Sequence, residues 1–271
     1  MVRSLWTAAT GMIAQQTNVD TIANNLANVN TTGYKTEVAE FKSLLYQTLQ
    51  AKTTSANGEE KPIGAQVGLG VRNSAITSIF KDGSVYQSEN DFAFAISGRG
   101  FFAVQGEDNT TYYTRNGNFG IAVGTNGLTL TDSDGRPVLD TNGKAIVFNK
   151  NLIASEITVD QNGTFYYPDA NNQPKSLGIT LGVYQFNNPA GLDKVGNSLF
   201  AQTAASGQVL NEAKAANLTK SKLMQGYLEG SSVQVADEMV NLIVAQRAYE
   251  MNSKAIQASD EMLQQANQLR R

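Results

Sequence analysis

The sequence predicts an α+β fold: long N- and C-terminal coiled-coil helices packed together, with an all-β antiparallel domain inserted between them. Three observations carry that expectation. Apolar residues recur every seven positions at both ends, at Leu5, Met12, Val19 and Leu26 and again at Val235, Leu242, Tyr249, Ile256 and Leu263. The middle of the chain is punctuated by Asn-Gly and Asp-Gly dipeptides, and Val233 to Leu269 contains neither Pro nor Gly. A seven-residue interval holds one narrow stripe against a partner helix, and here the two candidate partners lie more than two hundred residues apart. The pattern points to a part made for packing with copies of itself, not to a self-contained catalyst.

The first helix is expected from Ser4 to Val29, a nearly uncharged stretch with a second stripe at Ala8, Ile22 and Val29. It would extend ~39 Å at ~1.5 Å per residue. It runs into Asn24-Asn25-Leu26-Ala27-Asn28-Val29-Asn30-Thr31-Thr32-Gly33-Tyr34-Lys35, where Asn and Thr side chains compete for backbone groups and Gly accepts left-handed angles, so the helix stops. After a short amphipathic piece, Phe41 to Leu49, the segment Gln50 to Gly70 is rich in Lys, Thr, Ser, Gly and Glu and has no periodicity. An extended arm of that length in a compact fold implies a contact role.

Strands are expected at Phe92–Ile96, Phe101–Val104, Thr111–Thr114, Ala145–Phe148, Thr164–Tyr167 and Ile179–Phe186. The dipeptides Asp82-Gly83, Asn116-Gly117, Asn126-Gly127, Asp134-Gly135, Asn142-Gly143 and Asn162-Gly163 tolerate the positive φ angles of tight hairpins, which makes the sheet antiparallel. The C-terminal helix, ~55 Å long, carries Ala245, Ser259 and Ala266 three positions after Leu242, Ile256 and Leu263. Those small residues would let a partner helix approach closely. The resulting organisation is 1–35 N-terminal helix, 36–90 linker and arm, 91–205 sheet domain, 206–232 return linker and 233–271 C-terminal helix.

Composition narrows the functional classes. The chain has 271 residues, 41% hydrophobic and 17% charged, enough for a sizeable core. With 21 Lys+Arg against 24 Asp+Glu and a net charge of -3, the steering field of a nucleic-acid binder is missing. No apolar run is long enough to cross a bilayer, and the first thirty residues lack the features of a cleaved secretory signal. Zero cysteines exclude disulfides and thiolate metal sites, and suit passage between reducing and oxidising compartments. Zero histidines remove the usual general base near neutral pH and the commonest zinc ligand. No catalytic residue, cofactor site or metal site is therefore expected.

Three local patterns have the residue types that chemistry could use. Gly68-Leu69-Gly70-Val71-Arg72-Asn73 begins like a dinucleotide-binding loop but lacks its third Gly and a following helix. Ser78-Ile79-Phe80-Lys81 has the spacing by which a lysine activates a serine, yet sits in an alternating strand pattern. Asp132, Asp134 and Asp140 offer paired carboxylates of the kind glycosidases use, or ligands for a hard cation. Turn chemistry explains them better.

The terminal helices could pair within one monomer as an ordinary antiparallel bundle. Burying the stripe residues alone gains less than ordering both helices costs, so the sequence favours ends that are partly disordered in the free monomer and fold on assembly.

Taken together, the motifs resemble the bacterial flagellar rod and hook family. The resemblance rests on Ser4-Leu5-Trp6-Thr7-Ala8-Ala9-Thr10-Gly11-Met12 with the Asn-rich segment ending at Lys35, on Gly98-Arg99-Gly100-Phe101-Phe102 and Tyr113-Thr114-Arg115-Asn116-Gly117-Asn118-Phe119, and on Gly196-Asn197-Ser198-Leu199-Phe200. At the C-terminal end it rests on Gln225-Gly226-Tyr227-Leu228-Glu229, Glu238 to Ile243 and Gln246 to Glu250. Leu44-Leu45-Tyr46-Gln47 and Gln66 to Arg72 favour the distal branch of the rod over the proximal rod proteins.

The resemblance implies an axial protein, exported unfolded through the flagellum's own export apparatus without a cleaved signal and located in the extracytoplasmic basal body, periplasmic where an outer membrane exists. Its partners would be copies of itself in a helical tube, proximal rod proteins and hook or hook-cap proteins at its ends, and outer ring proteins. The assembly interface would comprise the two stripes with Asn24, Asn25 and Asn28. The arm from about Gln47 to Gly70, with Leu45, Tyr46, Gln47, Gly68, Gly70 and Arg72, would brace neighbouring subunits. A proximal rod or hook subunit is the alternative within the family. A secreted glycan-binding or glycan-cleaving β-domain using Asp132, Asp134 or exposed Tyr112 and Tyr113 is the alternative from another class.

Overall fold

The computed structural model describes residues 2–50, 64–124, 127–150, 152–169, 173–215 and 218–268. The chain forms two compact units: Met1–Ala27 with Glu37–Thr77 and Gln234–Arg271, and Asn28–Thr36 with Ser78–Val233. The class is α+β, as expected. The division differs from the blocks read in the sequence, because residues 28–36 and the return segment up to Val233 belong to the sheet domain while residues 37–77 belong with the helices.

The helical unit contains α1, Val2–Ala27, and α2, Val235–Gln268, lying against each other. Along α1 the hydroxyls of Thr7, Thr17 and Thr21 donate back to the carbonyls of Arg3, Ile13 and Thr17, so these polar side chains are satisfied within the helix. Asp237 and Glu238 stand in the first turn of α2, where negative charge is favoured by the helix dipole. The terminal helices therefore pack together within one chain, in the manner of the intramolecular antiparallel bundle, and small residues bring the two backbones together.

Residues 41–50 are extended, not an isolated amphipathic piece. Strand Glu37–Ser43 pairs with Val71–Ser78, and Tyr46–Gln50 pairs antiparallel with Ala65–Gly68. The root of the expected structureless arm is thus a β-hairpin; its residues 51–63 lie outside the described residues.

Every sheet-domain pairing with a described register is antiparallel. The largest sheet has six strands in the order Asp193–Gly196, Leu199–Ala201, Thr111–Thr114, Phe101–Gln105, Val183–Gln185, Leu210–Asn211. Its alternating residues feed two cores. Phe102 and Val104 pack with Phe94, Phe119, Leu130, Phe148 and Phe165, while Phe101, Ala103 and Tyr113 pack with Tyr184, Phe186, Leu192 and Phe200. Edge-to-face ring pairs recur through both, such as Phe102–Phe119 at 5.1 Å and Tyr113–Phe186 at 4.8 Å. Burial pushes the Tyr113 hydroxyl up to about 12.

Two expectations fail here for a shared reason, close approach of backbone. Ile179–Phe186 was expected as one strand but divides into Pro174–Thr180 and Val183–Gln185, because Gly182 lies against the carbonyls of Leu139 and Asp140 and the chain changes sheets there. Asn116-Gly117 and Asp82-Gly83 are not hairpin turns. A Cβ on Gly117 would sit 1.8 Å from the Phe94 carbonyl oxygen, and one on Gly83 2.2 Å from that of Gly230. Asp134-Gly135, Asn142-Gly143 and Asn162-Gly163 do turn the chain, with φ of 82°, 77° and 83° at the glycines. Asn126 lies outside the described residues.

Candidate assembly interface

The seam between α1 and α2 is built from small and polar residues. Ser4 Oγ lies 3.5 Å from Ser259 Oγ, the Asn252 side chain sits against Gly11, and Asn25 Nδ2 donates to Glu238 Oε1 at 3.4 Å. From Ser4 to Gly11 is seven residues up α1, and from Ser259 to Asn252 is seven residues down α2. That antiparallel register places Asn18 opposite Ala245, which is 1% exposed. The contact row on α2 is thus Glu238, Ala245, Asn252 and Ser259, three positions beyond the apolar stripe.

The stripe residues flank this row. Leu5, Met12, Val19, Leu26, Leu242, Ile256 and Leu263 are half-buried, whereas Val235 and Tyr249 are exposed. Of the asparagines, Asn25 is buried and does most. Its Oδ1 accepts from the backbone N–H of Glu37 at 2.9 Å, and its Nδ2 donates to the Glu37 carbonyl at 2.8 Å as well as to Glu238. Asn24 is exposed and reaches Glu37 Oε2 at 3.4 Å, and Asn28 Oδ1 accepts from Thr31.

Burial, reinforced by the charge of Asp237, raises the Glu238 carboxyl above its ordinary value of 4.5, against the opposing hydrogen bond from Asn25. The folded state then holds this proton more tightly than the unfolded chain does. Its stabilisation is complete below the ordinary value and is lost as pH rises through the raised one. Glu238→Gln should abolish that slope and make the helical unit more stable than wild type at neutral pH, as read by urea unfolding from pH 4 to 8. An unchanged slope would mean that Glu238 does not titrate at the seam.

The same helices also expose large apolar side chains among their polar surface residues. Trp6, Ile13, Val240, Ile243, Val244 and Met251 are each more than half exposed, and the hairpin adds Leu45 at 83% and Tyr46 at 63%. Gln47 and Arg72 are exposed, while Gly68 and Gly70 are half-buried. Gly70, at φ 109°, rests on Thr10, and Asn73 Nδ2 donates to Thr17 Oγ1 at 2.6 Å, so the base of the hairpin is fastened to α1 of its own chain.

Inside the sheet domain, one residue from each of three motifs meets the others in a buried ionic cluster that the sequence does not single out. Glu229 Oε1 accepts from Lys35 Nζ at 2.6 Å and from the Gly83 N–H at 2.9 Å, and Oε2 accepts from Arg115 Nη1 at 3.1 Å. Their side chains are 1%, 1% and 2% exposed for Lys35, Glu229 and Arg115. Arg115 also donates to the Gly98 carbonyl at 2.6 Å and stacks over the Phe101 ring at 5.2 Å. Burial first, then the Arg115 charge, lowers Lys35 below the ordinary lysine value, while Glu229 pulls it back up. Two of the motifs contribute a cation, Lys35 and Arg115, and the third the anion Glu229, a match that shows only once the fold brings them together. At Gly33, with φ 69°, a Cβ would sit 2.6 Å from the Arg115 carbonyl carbon. Gly33→Ala should cost about 1–2 kcal/mol from the left-handed angle alone, more with the clash, measured as a lower urea midpoint of the sheet domain.

Asp132, Asp134 and Asp140 are engaged locally, Asp140 Oδ1 accepting from the N–H groups of Asn142 and Lys144. Asp132 Oδ1 accepts from the N–H groups of Asp134 and Arg136, and the Arg136 guanidinium bridges Asp132 and Asp134 at 3.3 and 2.9 Å. Tyr113, expected on the surface, is 6% exposed because it faces the second core; Tyr112 is half-buried. Among the described residues no helix is long and apolar enough to cross a membrane.

The chain is thus an α+β protein with a small-residue seam between two long helices, large apolar side chains exposed on those helices, and a sheet domain. Residues 5–35 match the family "Flagella basal body rod protein", 95–167 the "Flagellar hook protein FlgE/F/G D1 domain" and 224–269 the "Flagellar basal body rod FlgEFG protein C-terminal". The chain is 45% identical to the flagellar basal-body rod protein FlgG of Borreliella burgdorferi over 100% of both chains. It is 41% identical to that of Buchnera aphidicola subsp. Schizaphis graminum over 99% of this chain and 100% of the relative, and 40% identical to that of Agrobacterium fabrum over 96% and 97%. The chain belongs to the flagellar basal-body rod protein FlgG family.

Proposed function

We propose that this chain is a self-assembling, non-catalytic subunit of the distal flagellar rod, the hollow drive shaft that passes motor torque to the hook. The observation that carries this is the set of large apolar side chains exposed on the paired helices, Trp6 and Ile13 on α1 and Val240, Ile243, Val244 and Met251 on α2. Patches of that kind mark interaction surfaces. Identical copies stacked by heterologous, non-closing contacts cover them and generate a filament.

In this reading the terminal helices of neighbouring copies supercoil as coiled-coil partners around the inner tube, with the stripe residues at the junctions. The hairpin residues Leu45, Tyr46 and Gln47 reach adjacent subunits, and proximal rod and hook proteins meet the two ends. The chain travels through the flagellar export apparatus to an extracytoplasmic basal body. Engagement of Asp132 and Asp134 by Arg136 favours structure over glycan cleavage at that turn. The test is complementation in a bacterium lacking its own distal rod protein. Purified basal bodies should regain a full-length rod and cells should swim, whereas rods that stop at the proximal section would contradict the distal assignment.

A further inference from the structure

The sheet domain ties together the two flanks of the chain that lead into the helices. Within it, the Gly33 N–H donates to the Glu229 carbonyl at 2.8 Å, the Ser232 N–H donates to the Tyr34 carbonyl at 3.1 Å, and Ser232 Oγ accepts from the Thr36 N–H at 2.9 Å. Glu229 is the anchor of this clamp, and its cationic partners Lys35 and Arg115 lie 194 and 114 residues away in sequence.

We propose that the clamp is a conformational checkpoint: the α1–α2 pair forms only in molecules whose sheet domain has closed on Glu229. Two arguments support it. Without Glu229, closing the domain would bury Lys35 and Arg115 with only the exposed Asp82 carboxylate, 3.6 Å from Arg115, as counter-charge, so docking of residues 28–36 is strongly disfavoured until the segment carrying Glu229 has arrived. Without the clamp, the two helices lie at opposite ends of a chain of more than two hundred intervening residues, and their pairing must meet the full loop-closure cost.

The clamp removes most of that cost by raising the effective concentration of one helix near the other. The seam is antiparallel, and the Asn25–Glu238 pair is its rung nearest the clamp in sequence, eight residues before Gly33 and six after Ser232. Once the flanks are held side by side, that rung forms first and pairing proceeds outward to Ser4 and Ser259. The exposed apolar side chains are then displayed as an ordered surface only by molecules with a finished sheet domain.

Hydrogen exchange on the full chain at a concentration where it is monomeric tests this with wild type, Glu229→Gln and Ser232→Ala. Wild type should protect the clamp amides of Gly33, Thr36 and Ser232 together with α1 and α2. Glu229→Gln should accelerate exchange at the clamp and in both helices by the same factor, about tenfold or more, with the strands Phe94–Ser97 and Phe101–Gln105 remaining slower. If that variant opens the whole sheet domain, Ser232→Ala decides the matter, because it removes one tie without stranding a charge; it should give a smaller shift, again equal in clamp and helices. Faster exchange at the clamp with unchanged helices overturns the proposal, as do unprotected helices in wild type or a clamp unmoved by both variants. Filaments that still form from a chain showing the clamp-only shift would overturn the checkpoint and leave the rod function standing.

Discussion

Glu229→Ala should cost the sheet domain about 3–5 kcal/mol, because it removes the buried carboxylate shared by Lys35 and Arg115 and leaves only the exposed Asp82, 3.6 Å from Arg115, to offset two buried cations. For a domain of this size that corresponds to roughly 6–20 °C in Tm. The asymmetry is the informative part. Replacing all three groups together with apolar side chains of similar volume, Lys35→Met, Arg115→Met and Glu229→Leu, should come within ~1 kcal/mol of wild type or exceed it, since no desolvated charge is left behind. Thermal unfolding of the monomer checks both. A single variant as stable as wild type would mean that water reaches Lys35 and Arg115 and that the cluster is not a sealed interior.

Leu242→Asp should abolish polymer formation while leaving the sheet domain folded. Leu242 is half-buried beside the seam, where a carboxylate loses part of its hydration at a cost. Ala245→Leu should act in the same direction by a different route. Ala245 is 1% exposed on the contact row, and a larger side chain there must push the helices apart at a cost of about 1–3 kcal/mol. Sedimentation of concentrated protein, with near-ultraviolet circular dichroism of the aromatic cores as the control for folding, separates lost assembly from lost structure. Normal polymerisation of Leu242→Asp would remove the helix pair from the interface.

What the sequence disclosed follows from which forces are local. Helix extents came within two residues, because periodicity and the absence of Gly and Pro act over a few turns: Ser4–Val29 was expected against Val2–Ala27, and Val233–Leu269 against Val235–Gln268. Thr111–Thr114 was matched at both ends. The failures all involve partners distant in sequence. Gly117 and Gly83 read as turn residues, but each is required by a carbonyl from elsewhere in the fold, Phe94 and Gly230. Ala245 and Ser259 are legible as places of close approach because small residues three positions after the stripe stand out in one sequence. That Ser4 and Gly11 stand opposite Ser259 and Asn252 is not, because it depends on the register between two helices more than two hundred residues apart. Lys35, Arg115 and Glu229 each look like ordinary surface charges until three motifs are brought to one point.

Electron microscopy of the concentrated purified protein, intact and with α1 and α2 both deleted, tests the central claim most directly. The intact chain should form hollow tubular filaments and the chain without helices should form none. Tubes built by the chain lacking both helices, or an intact chain that stays monomeric at every concentration, would contradict it.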